Sequence, residues 1–435
     1  MKIKLISIIP TIVWLAISCP ADTHYVSLVG GHSSPFTNGW VSAAIDIQSA
    51  IDVATNGDTV LVSNGVYDVG GKVVDDGPTN RVVIDKAITV ISKDNNPTNT
   101  IIKGYQSGGA TAGVDAVRCV YMVSNSTLIG FTLTNGATLA ATSSTINVKQ
   151  YSGGGVYGAA SSAVISNCII TKNLAWGNGG GVYNATIFNS MISGNRSWWR
   201  NLPDAYSKTI VGGGVCLGVL SNCTVANNQS AQYGGGIGNA TAYNCLIVSN
   251  IATHGAVIGG SCYRCQILYN NTTIGSLNTV EAYNCLIAYD SGYGVTASPL
   301  YNCTIVSNGS GIYCSPNDYI YNSIIYNNTN CNYYISAGRT ANFYNVFTTP
   351  TNQNLMGGTA NWGGGCITNA NPQFVSKDTG DWRLRNDSPC INAGTNQNWM
   401  TNGVDLDGRT RVRYGTVDMG AYERIYEGTI YKFGF

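Results

Sequence analysis

The sequence predicts an all-β solenoid in which the chain winds as a parallel β-helix. Two patterns carry this prediction: a repeat of about twenty residues and a run of glycines that recurs with it. A helical fold is disfavoured because no 3.6-residue apolar period is present, and because glycine is abundant at 53 of 435 residues. The 44% of hydrophobic residues and the 27 tyrosines are enough to build a core, which argues against disorder.

The repeat becomes visible when the chain is aligned on eight anchor positions, seven of them Asn. The spacings between successive anchors are 22, 33, 22, 20, 20, 18 and 20 residues. One residue after each anchor stands Cys or Ser, and three residues after it stands Ile or Val. Six residues after it stands Asn, or Asp in one coil. The anchors are Asn167, Asn189, Asn222, Asn244, Arg264, Asn284, Asn302 and Asn322.

These columns predict how each coil is built. Side chains alternate along a strand, so the anchor +1 and +3 positions face the same side and we expect them to fill a narrow core. The anchor −2 position is also apolar and inward, although it lies an odd number of residues from +1. The chain must therefore bend at the anchor, where Asn suits a left-handed backbone. Coils of this length stack about 4.8 Å apart, so like residues form ladders.

Glycine runs mark a second bend in four successive coils. They occupy residues 153–155, 179–181, 212–214 and 234–236. Glycine suits tight turns and close approach of two backbones. A nucleotide-binding loop is disfavoured because no Lys-Ser/Thr pair follows, and because the run recurs once per coil.

Three stretches carry a resemblance to a known family: residues 47–67, the repeat itself, and the tail motifs at 388–394, 405–409 and 418–423. The sequence resembles the right-handed parallel β-helix proteins with the pectin-lyase-like fold, and more narrowly the secreted bacterial Gly/Asn-rich repeat proteins. The resemblance implies a short N-terminal α-helical cap and an irregular C-terminal β region. We expect a signal peptide at 1–21, the cap at 22–59, the parallel β-helix at 60–350 and a C-terminal capping region at 351–435.

The N-terminus has the pattern of an export signal. Lys2 and Lys4 precede an apolar run over 5–17, and small residues lead to Ala21, where we expect cleavage. Acylation of Cys19 as a lipoprotein is the alternative. Farther along, no apolar run approaches the roughly 18 residues that span a bilayer. A net charge of +1 gives no basic surplus for nucleic acid. We therefore expect a secreted or cell-surface protein, and the oligomeric state stays undetermined.

The resemblance does not extend to the active sites of the best-known enzymes with this fold. Between residues 120 and 340 the acidic residues are Asp204, Glu281, Asp290 and Asp318, which fall in different columns. No carboxylate pair is therefore placed for acid/base work, and no carboxylate cluster with a nearby Arg is placed for calcium. We expect neither a cofactor nor a metal site. The aspartates of the 405–408 and 418 motifs form either a loose calcium site or backbone contacts in turns.

An aromatic row is the candidate functional site. It lies in the loops between the anchor +6 residue and the next glycines, and the 33-residue coil owes its extra length to one such loop, 197–208. Aromatic faces stack on sugar rings, and nearby polar groups bond hydroxyls; alternatively, the insertion folds over the coils and buries a Trp as a local plug. The ligand-binding candidates are Trp176, Trp198, Trp199, Arg200, Asp204, Tyr206, Tyr233, His254 and Tyr293.

Four columns of the repeat, −1, +2, +4 and +1, predict outward and inward ladders. Tyrosines at anchor −1 point outward and either stack for stability or bind a glycan. The outward +2 and +4 positions are apolar, so we expect the C-terminal tail or a partner to cover them. Six of the 14 cysteines share the inward +1 column, where we expect a stack of free thiols, although some bridges between coils are an alternative. Cys366 and Cys390 lie outside the repeats and are the expected disulfide.

The favoured function is polysaccharide binding along the aromatic row by a secreted or surface protein. One alternative is a polysaccharide lyase or hydrolase with a non-standard site built from Tyr, His254 and Arg200. The other is an adhesin or structural repeat protein whose rigidity is its function.

Overall fold

The computed structural model describes residues 21–108, 111–140, 147–198, 212–316, 318–349, 354–356, 358–413 and 415–424. Residues 1–20 of the predicted signal peptide, with Cys19, lie outside this part of the chain. Short strands dominate it, and they are arranged in stacked coils.

Most strands belong to one large sheet, here called sheet A. Its neighbouring strands pair in parallel, apart from one antiparallel contact between Lys72–Val73 and Thr79–Ile84. The described strands of sheet A are Thr23–Val26, Thr59–Val62, Lys72–Val73, Thr79–Ile84, Thr89–Ser92, Val117–Met122, Thr127–Ile129, Val156–Gly158, Val164–Ser166, Val182–Phe188, Val215–Ser221, Ile237–Tyr243, Val257–Tyr263, Leu277–Asn278, Glu281–Tyr283, Tyr293–Thr296, Leu300–Tyr301, Ser310–Cys314, Asp318–Tyr321, Tyr333–Ser336, Thr340–Tyr344, Asn354–Met356 and Thr359–Trp362.

Two further parallel sheets complete the coils. Sheet B follows the anchor bend and comprises Gly65–Tyr67, Thr100–Lys103, Thr132–Thr134, Ile169–Thr171, Met191–Ser193, Thr224–Ala226, Leu246–Val248, Gln266–Leu268, Leu286–Ala288, Thr304–Val306, Ile324–Tyr326 and Phe347–Thr348. Sheet C comprises Leu174–Ala175, Arg196–Ser197, Gln229–Ser230, Ile251–Ala252 and Asn271–Thr272. Successive coils pair in the predicted register, for example Ile192 with Val225 and Val225 with Ile247. The molecule is a right-handed parallel β-helix, as the sequence predicted.

The anchor bend has the predicted backbone. All eight anchors have positive φ, from 49° to 55°, including Arg264 at 52°. A second left-handed residue stands five positions after every anchor, and no sequence pattern indicated it because its residue type varies. These residues are Lys172, Gly194, Asn227, Ser249, Tyr269, Tyr289, Ser307 and Asn327. The three-residue strands of sheet B therefore lie between two left-handed corners.

The three apolar columns form one continuous core. The side chains at anchor −2, +1 and +3 are buried in all eight coils. The +3 column is fully inaccessible to solvent, from Ile170 to Ile325. Two predictions from the repeat are confirmed: the apolar columns point inward, and the chain bends at the anchor.

The anchor +6 residues form a buried hydrogen-bonded ladder. In a typical rung, the Asn228 backbone N–H and Nδ2 both donate to Asn250 Oδ1, at 3.0 and 3.1 Å. Asn228 Nδ2 also donates to the Ile192 carbonyl at 2.9 Å. The ladder connects Asn173, Asn195, Asn228, Asn250, Asn270, Asp290, Asn308, Asn328 and Asn332. It satisfies polar backbone at the second corner, where regular sheet pairing is interrupted.

The N-terminal end carries the predicted helical cap. An α-helix spans Ile47–Val53, and Asp46 caps it by accepting the Ser49 N–H at 2.8 Å. Its Ile47 and Ile51 side chains are buried in the solenoid core. A 3-10 turn at Trp40–Ser42 precedes it, and a one-turn α-helix at Val148–Tyr151 lies on the flank of the solenoid. No helix in the described ranges is both long and apolar enough to cross a membrane.

The C-terminal region is irregular and covers part of sheet B. It contains an antiparallel pair, Phe374–Ser376 with Asp381–Leu384, and a 3-10 turn at Asn398–Met400. Its apolar side chains form a second core with the outward residues of the last coils, among them Leu286, Val306 and Ile324. The tail therefore covers the predicted apolar face in these coils. In an earlier coil, by contrast, Met191 is 46% exposed among the described residues.

The tail aspartates accept backbone hydrogen bonds in turns. Asp405 accepts the N–H groups of Arg409 and Glu423, at 2.6 and 2.7 Å. Asp418 likewise accepts the N–H groups of Asn392 and Arg424. Of the two interpretations of these motifs, the contacts in the described residues fit the structural one.

The cysteine predictions have two outcomes. No disulfide joins any of the thirteen described cysteines, and the +1 column forms the expected stack of thiols. The expected disulfide between Cys366 and Cys390 is wrong. The reason is that the two residues belong to different cores: Cys366 packs against the solenoid interior, whereas Cys390 is buried beneath the tail.

The anchor −1 tyrosines form the predicted outward stack. Their ring centroids lie 4.5–5.6 Å apart with nearly parallel planes. Ser221 separates Phe188 from Tyr243 in the strand register, so the stack begins at Tyr243. The tail contributes Trp399, which packs edge-on against Tyr283 at 5.3 Å. The stacked rings are Tyr243, Tyr263, Tyr283, Tyr301, Tyr321 and Tyr344.

Candidate functional site

An open groove of about 420 Å³ runs across sheet C. In four of its five two-residue strands the first residue is exposed and the second buried, and an exposed residue follows; in Leu174–Ala175 both residues are buried. The buried second residues, such as Ser197 and Ser230, fix the strands on the solenoid, so the flanking residues point to solvent. The groove is lined by Arg196, Ser197, Trp198, Gln229, Ser230, Ala231, Ile251, Ala252, Thr253, Asn271 and Thr273.

One end of the groove is formed by a stacked Arg–Trp pair. The Arg196 guanidinium carbon lies 3.9 Å from the centroid of the Trp198 indole ring. This contact covers part of the indole while Trp198 keeps 38% of its surface exposed. A cation over an aromatic face is attracted by the ring electrons, which orders both side chains. The pair offers a flat surface with fixed hydrogen-bond donors at its edge.

Polar side chains continue from this pair along the coils. Arg196 pairs with Gln229, Gln229 with Ile251, and Ile251 with Asn271 in the strand register. Thr253 and Thr273, which directly follow the buried second residues of their strands, form a second exposed row beside the first. Among the described lining residues there is no carboxylate, and Arg196 carries the formal charge. The groove therefore presents amide, hydroxyl and guanidinium groups to a ligand.

The predicted tryptophan row begins as expected. Ala175 pairs with Ser197, so Trp176 and Trp198 occupy the same position on neighbouring coils. Trp176 is half-buried, and its backbone N–H donates to Thr138 Oγ1 at 2.9 Å. The next candidates, Trp199, Arg200, Asp204 and Tyr206, lie outside the described residues.

Tyr233 and His254 form a second aromatic pair beside the groove. Their residues bridge in parallel, and their ring centroids lie 4.6 Å apart. Burial lowers the pKa of His254, against a smaller opposing effect of the backbone near Gln232. Its Nδ1 is buried and has no hydrogen-bond partner among the described residues.

The structure separates Tyr293 from this pair. Tyr293 begins a strand of sheet A, Tyr293–Thr296, and pairs with Ser310. Its ring contacts Tyr313 edge-on at 5.6 Å. Tyr293 therefore belongs to an aromatic group on sheet A.

The residues that the sequence analysis missed are Arg196, Gln229, Ile251 and Asn271. They share one signal, because each directly follows the buried +6 residue of its coil. Alternation after that buried position would have placed them outward. Their residue types differ, so no column of identical residues drew attention to them.

A second groove, of about 460 Å³, lies between the tail and the coils of Asn244 and Arg264. Its charged side chains already have partners. Arg264 Nε donates to Asn244 Oδ1 at 2.8 Å, and the Asp407 carboxylate pairs with Arg383 and Arg409. The groove across sheet C is the better candidate because its hydrogen-bonding groups face solvent.

Comparison with known families does not assign the chain to any of them. No family model matches the chain, and no curated protein matches it.

Solved structures share the architecture at low similarity. Pectate lyase Pel9A is 15% identical with a TM-score of 0.49, and the match covers 93% of this chain and 98% of that one. The A-module of the Azotobacter vinelandii mannuronan C-5 epimerase AlgE6 is 14% identical with a TM-score of 0.43, covering 75% and 95%. The GH136 lacto-N-biosidase from Eubacterium ramulus is 11% identical with a TM-score of 0.37, covering 79% and 67%. At this level of similarity, what those proteins act on does not transfer to this chain.

Proposed function

We propose that this chain is a secreted or cell-surface protein that binds polysaccharide in the groove across sheet C. The observation that carries the proposal is the ordered row of exposed side chains on successive coils, which starts at the Arg196–Trp198 stack. A sugar chain needs apolar contact for its ring faces and hydrogen bonds for its hydroxyls, and the groove offers both. The four strands of sheet C that line the groove extend over roughly 14 Å, enough for a short oligosaccharide.

Binding is favoured over cleavage by the chemistry of the lining. Hydrolysis of a glycosidic bond ordinarily uses two carboxyl groups on either side of the bond. The described lining residues include none. The groove is also open along its length, as suits an extended chain that is held and released intact.

The test is a glycan array probed with the mature chain, residues 22–435, followed by affinity measurements on variants. Trp198→Ala should weaken glycan binding by about tenfold or more, because it removes the stacking surface. Its melting temperature should fall only slightly, since the residue is 38% exposed and its ring packs on the exposed Arg196. Trp362→Ala is the matched control: this Trp is 41% exposed but lies on the last strand of sheet A. An equal loss of glycan affinity in both variants would contradict the proposal. So would a lower melting temperature of Trp198→Ala with unchanged glycan affinity.

Glycan cleavage at Tyr233 and His254 is the second candidate, and one observation favours it. The lowered pKa of His254 favours a neutral imidazole near pH 7, and its ring lies beside that of Tyr233 with centroids 4.6 Å apart. Bound oligosaccharides should then be shortened or made unsaturated, and His254→Gln should abolish product while binding persists. Intact glycans after long incubation would rule this candidate out.

An adhesin is distinguished by competition. Cell binding that soluble glycans do not reduce would indicate a protein receptor and would count against the groove as the binding site.

A further inference from the structure

A buried carboxylate lies where the first two strands of the solenoid meet. Asp58 is 5% exposed and precedes the strand Thr59–Val62. It accepts the Thr55 N–H at 2.6 Å, the Thr55 hydroxyl at 3.0 Å and His24 Nε2 at 3.1 Å. Burial alone would raise the pKa of Asp58, but the hydrogen bonds from Thr55, Asp22 and His24 outweigh it and lower the pKa to about 2. Asp58 is therefore a permanent anion.

The fourth donor to this anion is the backbone nitrogen of Asp22. It lies 2.9 Å from Asp58 Oδ1. The Asp22 carbonyl in turn accepts the Thr59 N–H at 2.9 Å, and the following strand, Thr23–Val26, pairs in register with Thr59–Val62. Asp22 is thus held through both its N–H and its C=O group, while the preceding residue, Ala21, is exposed.

The position of this nitrogen matters because of where the export signal ends. The small residues before Ala21 predict cleavage of the Ala21–Asp22 bond. In the uncleaved chain the Asp22 nitrogen is a neutral amide with one N–H. After cleavage it is a primary amine, which at neutral pH carries a positive charge and three donors.

We propose that Asp58 is the receptor for the α-ammonium group that signal-peptide removal creates at Asp22, so that processing places an ion pair at the base of the N-terminal cap. A signal peptidase supplies the step: water adds across the Ala21–Asp22 amide, Ala21 leaves with a carboxylate, and the freed Asp22 amine takes up a proton. This inference rests on the export part of the proposed function and is independent of glycan binding.

The geometry leaves one carboxylate oxygen of Asp58 for this group. His24 Nδ1 lies 2.7 Å from the Pro35 carbonyl and its Nε2 lies 3.1 Å from Asp58 Oδ2, so the ring contacts Oδ2 and not Oδ1. The ammonium group would face the other carboxylate oxygen, Oδ1. Charge-assisted hydrogen bonds are about twice as strong as neutral ones, so the conversion strengthens an existing contact without moving the backbone.

The experiment compares chains that differ by one residue. A cleavable fusion partner yields the mature chain starting at Asp22, and a second preparation starts at Ala21, which moves the charge one residue away. The Asp22 chain should melt at least about 2 °C higher at pH 6.5. In an Asp58→Asn background the two chains should melt together, because the acceptor charge is gone. This pair of comparisons keeps the test valid even if Asp58→Asn lowers stability by itself.

The pH dependence gives an independent readout. The ion pair raises the pKa of the amine above its unfolded value of about 7.7–8.0, so its stabilisation is complete below that pH and disappears as pH rises through the folded pKa. The 2 °C advantage should therefore vanish by about pH 10. His24, the other ionisable side chain in contact with Asp58, is present in both preparations, so its contribution cancels.

Processing itself is tested on protein exported by a bacterial host. N-terminal sequencing should begin at Asp22. Equal melting temperatures for the two chains across pH 6–10 would overturn the receptor role of Asp58. A mature chain that begins elsewhere, for example at an acylated Cys19, would overturn the link to processing. Neither result bears on binding in the groove, so failure here is distinguishable from failure of the proposed glycan function.

Discussion

At the scale of single residues, Asp290 departs from its column. It occupies the anchor +6 position, where the neighbouring coils carry Asn. Its Oδ1 accepts the Asn270 N–H and the Asn270 Nδ2, at 2.6 and 3.2 Å, as an Asn oxygen would. Its Oδ2 stands where Asn presents an amide nitrogen, and it is buried. Burial raises the pKa of Asp290 to about 8, against the hydrogen bonds from Asn270 and Ser276. At pH 7 Asp290 is therefore mostly the neutral acid.

Asp290→Asn should stabilise the protein at pH 7 and above. The folded pKa is raised above the unfolded 3.8, so the native residue favours folding most below pH 4 and loses that contribution as pH rises to about 8. The expected gain at pH 7 is roughly 1–4 kcal/mol, and it should vanish near pH 4. Denaturant unfolding at several pH values measures it.

The exposed Asp378→Asn is the control for this variant and should change stability little at any pH. If the Asp290→Asn variant is less stable than the native chain at pH 7, then Asp290 is ionised in the fold.

The two corners of each coil show how far a residue's type predicts a left-handed backbone. The anchor bend was predictable because Asn tolerates the left-handed backbone, and even Arg264 follows the column. The bend five residues later was not, because Tyr269 and Tyr289 adopt it although their type disfavours it. The buried +6 ladder fixes the residue directly after this corner, so the neighbouring hydrogen bonds impose the conformation there.

At the scale of elements, the coils are joined by side-chain ladders as well as by strands. Asn228 is fully buried, and its Oδ1 accepts both the backbone N–H and the Nδ2 of Asn195, each at 3.0 Å. Its own nitrogens donate to Asn250 and Ile192. Each ladder residue therefore binds the coils on both sides.

Asn228→Ala should lower the free energy of unfolding by about 3 kcal/mol, because it leaves the Ile192 carbonyl and the Asn195 N–H buried without partners. Equilibrium denaturation measures the loss. The neighbouring Asn227→Ala is the matched control: Asn227 is exposed and left-handed, so its replacement should cost only about 1 kcal/mol. Equal costs would mean that the corner conformation, rather than the ladder, stabilises this bend.

The candidate site was predictable only in part at this scale. The 22-residue spacing of Trp176 and Trp198 indicated that they align, and the strand register brings them to the same position on neighbouring coils. Tyr293 was grouped with them by its place in the repeat, but an 18-residue coil puts it at the start of a sheet A strand. Sheet C has strands of only two residues, too short for a sequence pattern to reveal.

At the scale of the whole molecule, the tail covers one part of sheet B. Trp382 is 2% exposed and packs edge-on against Phe374 at 5.1 Å, above the outward residues of the last coils. The apolar +2 and +4 columns predicted a cover. They did not predict how far it extends, because the columns are similarly apolar where sheet B is covered and where it is open.

Trp382→Ala should release the tail before the solenoid unfolds. Loss of a buried Trp lowers the free energy of unfolding by about 3–5 kcal/mol. We expect this loss to destabilise the second core, which the tail forms with the last coils, and to leave the solenoid core intact. Limited proteolysis with mass spectrometry should show cleavage after residue 370 while the coils stay protected. Val375→Ala, at an exposed position on the same hairpin, should leave the pattern unchanged. Simultaneous digestion of coils and tail would show that the two cores unfold as one unit.

Because each coil pairs only with the coils directly before and after it, the solenoid has a modular length. A whole turn inserted or deleted between two similar turns would preserve every pairing pattern on either side of the join. Such events would lengthen or shorten the rod while leaving the N-terminal cap and the contacts of the tail in place. Insertion or deletion of whole coils is therefore a simple way to change the length of the solenoid, because the core residues of the remaining coils would still stack on one another.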